Sequence, residues 1–365
     1  MKFTCQRGML LQALGVLNSV IPSHSVRPVL QNIRFEVFDE TSLKLSATDL
    51  DIGMTYILPV ENVSDASAFV LPASRLSGII REAWGDTIEF TIKDSKADIR
   101  TERGRFQIIG EEGADFPTIA EMEIEKSIEL RAEDLMSAVQ RVLFATARNE
   151  AMYSLAGVFV CIEGDAIEVV ATDTHRVALS KKKLHGTSAE TMKAIVLAKG
   201  MQELCKLLHD EEMVRIQITG TMFMAKTSRA TLVSHLIEGQ FPRYREVIPA
   251  AMPKSVTAKR DEFVQALRQA ALLTNEITRA VKLTAEEGIL TIQSTAPEMG
   301  EAKIELDATV VGGPVTASFN CSYIADVLKV LGDDQVTLQL KDANSPGMIS
   351  TDDYTYVVSP IYPKN

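Results

Sequence analysis

Residues 171–180 read Ala-Thr-Asp-Thr-His-Arg-Val-Ala-Leu-Ser, directly after an apolar run, Ile167 to Val170, of the kind that forms a strand. Asp173, His175 and Arg176 arrive together at that strand end, as the parts of a catalytic site would. The same frame occurs earlier, however, as Leu43-Lys-Leu-Ser-Ala-Thr48-Asp49-Leu50-Asp51. A degraded form occurs later as Leu290-Thr-Ile-Gln-Ser-Thr295-Ala296. Thr48, Thr172 and Thr295 lie 124 and then 123 positions apart. A period of that length is a repeat of whole domains.

Outward from these anchors the repeat holds. Leu10, Leu135 and Phe263 occupy one position of an amphipathic helix, and Leu14, Val139 and Leu267 the position one turn on. A second helix follows Leu71, Val196 and Phe319, with apolar residues five and eight positions later in every copy: Leu76, Met201 and Ile324, then Ile79, Leu204 and Val327. Phe116-Pro117 returns as Phe241-Pro242. Period-two alternation predicts a strand over 32–38, and further strands are expected at 105–109, 222–226 and 335–340. A long helix is expected over 132–148. The reading is an α+β chain of three tandem domains, 1–125, 126–252 and 253–365, each with two helices and about eight antiparallel strands.

The 365 residues are 46% hydrophobic and 24% charged, an ordinary globular balance, with a net charge of −11. That charge argues against tight phosphate binding by the chain as a whole, though not against a local basic surface. The four cysteines, at 5, 161, 205 and 321, form no CxxC pair and no zinc spacing. Buried thiols, no metal, no cofactor and a reducing cytoplasmic setting are expected. The apolar N-terminal stretch is interrupted by Gln12 and Asn18 and reads as a helix face, not a signal peptide. No run reaches the ~20 apolar residues of a membrane span.

MKFTCQRGMLLQAL at the start, ATDLDI and ATDTHRVALS within, FPRYREVIP at 241–249 and YVVSPI near the end together resemble the bacterial DNA polymerase III β subunit family, over the whole chain. The resemblance implies three DNA-clamp domains, each with two helices packed on antiparallel sheets. It also implies a ring-forming, head-to-tail homodimer that encircles double-stranded DNA without sequence preference. Such a ring holds DNA by topology, which removes the conflict with the acidic net charge. No catalysis is implied. Expected partners are a second copy, the DNA polymerase III α subunit, the clamp loader, and other polymerases and repair proteins that carry short hydrophobic motifs.

Site residues follow from the resemblance. A peptide groove would use Leu155, Thr172, Thr174, His175, Arg176 and Val177 on one side and Pro242 and Val247 on another. Val357, Val358, Ser359, Pro360 and Ile361 would come from the last strand. Thr174 stands where a glycine is common, Glu246 where a second arginine is frequent and Ile361 where a methionine is frequent. DNA contacts would fall at His24 (in place of an arginine), Arg148, Asn149, Tyr153 and Lys199. Further cations for the helical surface are Arg7, Arg131, Arg141, Lys206, Lys259, Arg260 and Arg268. The dimer contact would pair strand 103–109 with 303–306 of another copy through Phe106, Ile108, Leu272 and Leu273. Arg103 and Arg105 would face Glu298 and Glu301. Two alternatives stay open on the residues alone: a three-domain hydrolase or transferase using Asp173, His175 and Arg176, and a scaffold that binds only proteins.

Overall fold

A computed structural model describes residues 1–64, 68–148, 154–209, 211–297 and 299–362, without the side chains of His185, Thr187 and Ala189. The first copy of the repeat opens with β1 (Lys2–Gln6) and α1 (Arg7–Asn18). Then come β2 (Asn32–Asp39), β3 (Ser42–Thr48), β4 (Ile52–Pro59), β5 (Glu61–Ser64) and β6 (Phe69–Pro72). After α2 (Ala73–Glu82) follow β7 (Thr87–Lys93), β8 (Lys96–Arg100), β9 (Arg105–Ile109) and the short β10 (Glu111–Glu112). The second copy holds β11 (Ile128–Arg131), α3 (Ala132–Leu143), β12 (Gly157–Thr172), β13 (Arg176–Leu197) and α4 (Ala198–Leu208). It closes with β14 (Met213–Ile218), β15 (Met222–Lys226) and β16 (Ala230–His235). The third has β17 (Lys254–Lys259), α5 (Arg260–Ala271), β18 (Ala280–Glu286), β19 (Ile289–Ala296), β20 (Gly300–Val311) and β21 (Val315–Asn320). After α6 (Cys321–Val330) it ends in β22 (Gln335–Leu340), β23 (Gly347–Ser350) and β24 (Tyr354–Val358).

The repeat is visible in the strand registers, which sequence spacing alone only suggests. Ile33 pairs with Leu71, Val158 with Val196 and Val281 with Phe319. These three pairs are the same pair, displaced by the repeat. The helices repeat as well. Arg7, the first residue of α1, donates from Nε to Ile80 O at 2.9 Å and from Nη2 to Arg81 O at 2.7 Å. Arg260, the first residue of α5, donates to Leu331 O at 2.5 Å. In both copies a cation from the first helix satisfies carbonyls at the C-terminal end of the second, where orphan acceptors and the negative end of the helix dipole favour it.

Two sequence expectations are corrected. The helix expected over 132–148 stops at Leu143. Thr146 Oγ1 donates to Leu143 O at 2.9 Å, and the amide of Ala147 turns away to Leu155 O. In the middle copy β12 runs through the positions of both β2 and β3, and β13 through those of β4 to β6. The register shifts on both sides of Gly164, whose φ of +60° suits a residue without a Cβ.

The chain divides into two compact units, and the division does not follow the repeat. One comprises residues 1–136, 184–186 and 199–236; the other 137–183, 187–198 and 237–365. The first unit contains a five-stranded sheet, β5-β1-β7-β8-β9, and a nine-stranded sheet, β10-β6-β2-β3-β4-β16-β15-β14-β11. Phe3, Phe35 and Phe90 form its aromatic centre, with Phe3 and Phe90 stacked at 4.6 Å. The second unit contains a ten-stranded sheet, β12-β13-β24-β23-β22-β17-β20-β19-β18-β21. The reason for the mismatch lies in two strand pairs. β16 of the second copy hydrogen-bonds to β4 of the first, and β24 of the third to β13 of the second. The second copy thus covers an open edge of the first, and the third an open edge of the second, which would otherwise be left with unpaired amides and carbonyls.

Cys5, Cys161 and Cys321 are buried and Cys205 half-buried; all four thiols are free. Burial pushes Cys5 up to about 12 and Cys205 up to about 11, so neither is a thiolate at neutral pH. Among the described residues no helix is long and apolar enough to cross a membrane.

Candidate functional site

The Thr-Asp strand ends are a hydrogen-bonded turn made twice. In the first copy Thr48 Oγ1 donates to Ile52 O at 2.9 Å and accepts from Leu50 N at 3.0 Å. Asp49 Oδ1 accepts from the amides of Asp51 and Ile52. In the middle copy Thr172 Oγ1 donates to Arg176 O at 2.7 Å and accepts from Thr174 N at 3.2 Å. Asp173 Oδ1 accepts from the amides of His175 and Arg176. Leu50 and Thr174 hold the same left-handed backbone, at φ of 85° and 76°. Short side chains that bond to backbone two to four residues on are the usual makers of such turns. Asp173 is therefore a turn former. It does not activate His175, whose ring lies against Tyr323 at 6.2 Å.

The middle turn differs from the first at Arg176, where the first has Ile52. The Arg176 side chain is buried. Nε reaches Asp173 Oδ2 at 2.9 Å, Nη1 reaches Asp326 Oδ2 at 2.9 Å and Nη2 donates to Phe144 O at 2.7 Å. The guanidinium also stacks over Phe144 and Tyr323, 5.2 and 4.5 Å from the ring centroids. It has two carboxylates, a carbonyl and two ring faces, as a desolvated cation requires. This arginine is an internal tie between β13 and α6.

Around the turn several expected groove residues converge. Val177 pairs with Val357 and Arg176 with Val358 in the β13–β24 ladder, and Ser359 N donates to His175 O at 2.8 Å. Ile361 N then donates to Ser318 O at 2.7 Å, which leads the tail from β13 to β21. The 241–247 segment lies on β12 and β13. Phe241 stacks on Phe159 at 4.9 Å, and the buried Tyr244 packs with Val170 and Val177. Pro242 is exposed, and Val247 is 52% exposed. Thr174, His175 and Ser359 are also exposed, while Pro360 and Ile361 are half-buried. Thr172, Leu155, Val177, Val357 and Val358 are buried, Val358 fully, so that these side chains back the surface instead of forming it. Beside the turn a cleft of about 750 Å³ is lined by His175, Arg176, Tyr323, Arg148, Arg268 and Arg279, among others.

Two sheet edges carry apolar residues. β9 is the last strand of the five-stranded sheet, and its Ile109 is 68% exposed; Phe106 is partly exposed. Ile108 points into the core, so of the two apolar residues expected there only Phe106 is accessible. Arg105 makes a forked contact with Asp98, at 2.8 and 2.6 Å, and Arg103 stacks on Trp84 at 4.7 Å. In the second unit β20 pairs with β19 over Gly300–Asp307 and with β17 only over Ala308–Val311, which leaves one edge of its first part open. Leu272, at the end of α5, is 73% exposed, Leu273 is half-buried and Glu301 exposed. Glu298 lies outside the described residues.

Three domain families match in order: the DNA polymerase III beta subunit N-terminal domain over residues 1–120, its central domain over 129–243 and its C-terminal domain over 245–364. The chain belongs to the DNA polymerase III beta subunit family. The beta sliding clamps of Pseudomonas aeruginosa and Escherichia coli K12 are each 31% identical over 366 residues, covering 99% of this chain and all of theirs. A P. aeruginosa DnaN sliding clamp solved with griselimycin superposes with a TM-score of 0.94 at 31% identity, over 99% of both chains. The Bacillus subtilis sliding clamp gives 0.93 at 26% identity over the full length of both.

For a beta subunit, few of the helical cations are free. Lys199 forms an ion pair with Asp49, Arg141 with Asp353, Lys206 with Glu203, Lys259 with Glu262, Arg131 with Glu133 and Arg260 with Asp261. Among the described residues Arg148 and Arg268 have no ion-pair partner, and both line the 750 Å³ cleft. His24 is exposed. Asn149 and Tyr153 lie outside the described residues. Arg279 was not anticipated from the sequence, and no periodic or motif signal distinguishes it there.

Proposed function

We propose that this chain is a DNA sliding clamp: a non-catalytic, cytoplasmic processivity factor that closes head to tail with a second copy around duplex DNA and tethers polymerases. Its domains run from 1 to 125, 126 to 252 and 253 to 365. The observation that carries the ring is an equivalence of edges. The strand-end pairs Thr48–Gly53, Thr172–Val177 and Thr295–Glu301 make β4, the start of β13 and the start of β20 one strand of the repeat. The turn bonds from Thr101 to Gly104, Thr227 to Ala230 and Thr351 to Tyr354 make β9, β16 and β24 another. Within the chain the first kind pairs with the second twice: Ile52 with Ser234, and Arg176 with Val358. The members left over are β20 and β9, and each has an open edge. The same register, continued to a second copy, would set Gly300 against its Ile108 and Ala302 against its Phe106. Arg105 would then sit opposite Lys303 and diagonal to Glu301 and Glu305, so that the two carboxylates offset the like-charge contact. The spent cations fit the same reading, because a ring that slides needs weak phosphate contacts.

The surface around Thr174, His175, Pro242, Val247 and Ile361 would take the short hydrophobic motifs of the polymerase III α subunit, the clamp loader and repair proteins. Apolar walls with a few fixed polar groups suit a peptide anchor. Solution mass and DNA retention test the ring. A dimer held on closed circular DNA after loading, and lost when the circle is cut, is the expected result; a monomer, or equal retention on both, overturns it. Removing Pro360 to Asn365 should abolish peptide binding and leave the dimer intact. Loss of both together would put the groove elsewhere.

A further inference from the structure

We infer that Glu168 is a positioning residue of this groove, holding the 241–247 wall in place through Tyr244; the inference rests on the groove reading above. Glu168 lies on β12 and touches none of the expected groove residues by hydrogen bond. Its Oε2 accepts from Tyr244 Oη at 2.8 Å and from Arg245 Nη2 at 2.6 Å, and Lys181 approaches at 3.9 Å. Arg245 in turn covers the Tyr244 ring at 5.6 Å. Burial of Glu168 works against its charge, but the bonds from Arg245 and Tyr244 and the charges of Arg245 and Lys181 outweigh it and hold the carboxyl below its usual range. Burial, with that acceptor, raises the Tyr244 hydroxyl well above its own.

The aromatic cluster beneath is small. Val170, Val177 and Tyr244 are its buried members, with Phe159, Leu179 and Phe241 at the margin. The exposed Pro242 and Val247 flank Tyr244 in sequence, so the ring fixes both ends of the wall. The first copy of the repeat shows what changes when the tyrosine is absent. There Lys44 occupies the position of Glu168 and reaches Glu121 at 2.6 Å, a tie of reversed charge. Ile119 stands for Tyr244 and packs directly over Gly53, the counterpart of Val177, where a Cβ would meet it at 3.0 Å. A tie from this strand position to the following segment is therefore made in the first two copies. A directed hydrogen bond to a ring that carries an exposed apolar wall belongs to the middle copy alone.

Fluorescence anisotropy of a fluorescein-labelled peptide from the clamp-binding segment of the polymerase III α subunit tests this on the full-length dimer. Glu168→Ala and Tyr244→Phe should each weaken binding about tenfold, the worth of one buried hydrogen bond. The double variant should be no weaker than either single one. Glu168→Gln, which keeps an acceptor, should stay within about threefold of the parent. The solution mass of Glu168→Ala should match the parent, and its melting temperature should fall by only about 4 °C, as for one lost hydrogen bond. Parent-like affinity in Glu168→Ala, or a Glu168→Gln as weak as Glu168→Ala, overturns the inference. Failure of the parent itself to bind the peptide would instead overturn the groove reading.

Discussion

The turns at Thr48–Ile52 and Thr172–Arg176 share a backbone, a set of hydrogen bonds and a left-handed third residue, yet they bind their surroundings by different means. In the first, Ile52 is fully buried, and among the described residues the turn's one ion pair is between Asp49 and the half-exposed Lys199. In the second, Arg176 draws Asp173 and Asp326 into a buried network roofed by Phe144 and Tyr323. The third copy makes neither arrangement. It carries Ala296 for the aspartate and Gly300 for the arginine, and its strand ends at Thr295 and Glu301 are one residue further apart. One backbone device thus serves an apolar junction and an ionic one. The difference comes from two side chains, because the turn itself needs only the threonine, the aspartate and tolerance of positive φ.

The largest effect should come from removing the cation of the second turn. Arg176→Met would leave the Asp173 carboxylate without a counter-charge and Asp326 with only the half-exposed Lys329, at a cost of about 3 kcal/mol. Urea unfolding should show it in probes of the second unit. Lys199→Met, the matching change at the first turn, breaks a solvated pair and should cost no more than about 0.5 kcal/mol. Equal losses would mean the two turns are energetically alike and the burial of Arg176 irrelevant.

A smaller gain is expected from relieving backbone strain. Thr174 is β-branched and sits at φ 76°, where only glycine rests without penalty. Thr174→Gly should stabilise the chain by about 1 kcal/mol, and Leu50→Gly, at φ 85°, by a similar amount less whatever contacts Leu50 loses. Calorimetry of both variants checks this, and a destabilised Thr174→Gly would show that the side chain holds the turn by its contacts.

The smallest effect concerns pH. Asp353, beside the second turn's strand, is partly desolvated, which opposes its charge. Lys182 and Arg141 nevertheless hold the carboxyl below its ordinary range. At the first turn the matching place, just before β16 of the second copy, holds Arg229. A carboxyl depressed in the folded state contributes stability that is complete above its unfolded value, roughly 4. That contribution disappears as the pH falls through the depressed folded value. Asp353→Asn should therefore be less stable than the parent near neutrality and converge with it in acid. Parallel curves down to acid pH would assign the difference to packing.

Much of the fold was legible because its causes are local. The expected strands at 105–109, 222–226 and 335–340 match to the residue, and in the last of them burial alternates as a half-buried strand requires. The helix faces through Leu10, Leu135 and Phe263 followed from spacing alone. The helix end at Leu143 was missed because it depends on where Ala147 and Thr146 find partners, and the continuous β12 because nothing before Gly164 announces a bulge. At the site, the Thr-Asp turn was legible, as its bonds close within four residues. The fate of Arg176 was not, with one carboxylate three residues away and the other 150. The Glu168–Tyr244 bond, across 76 residues, left no trace either.

By itself, then, the sequence determined the number of domains, the order of their elements, the repeated turn and the family. Each of these is written in short-range periodicity or in motifs that recur at a fixed spacing. The tertiary structure alone decided which edges stay open and which charges are spent. It also decided that Arg176 is a tie and not a free cation. Those outcomes depend on groups far apart in the chain, whose pairing is set by burial and strand register, and neither quantity has a local signature.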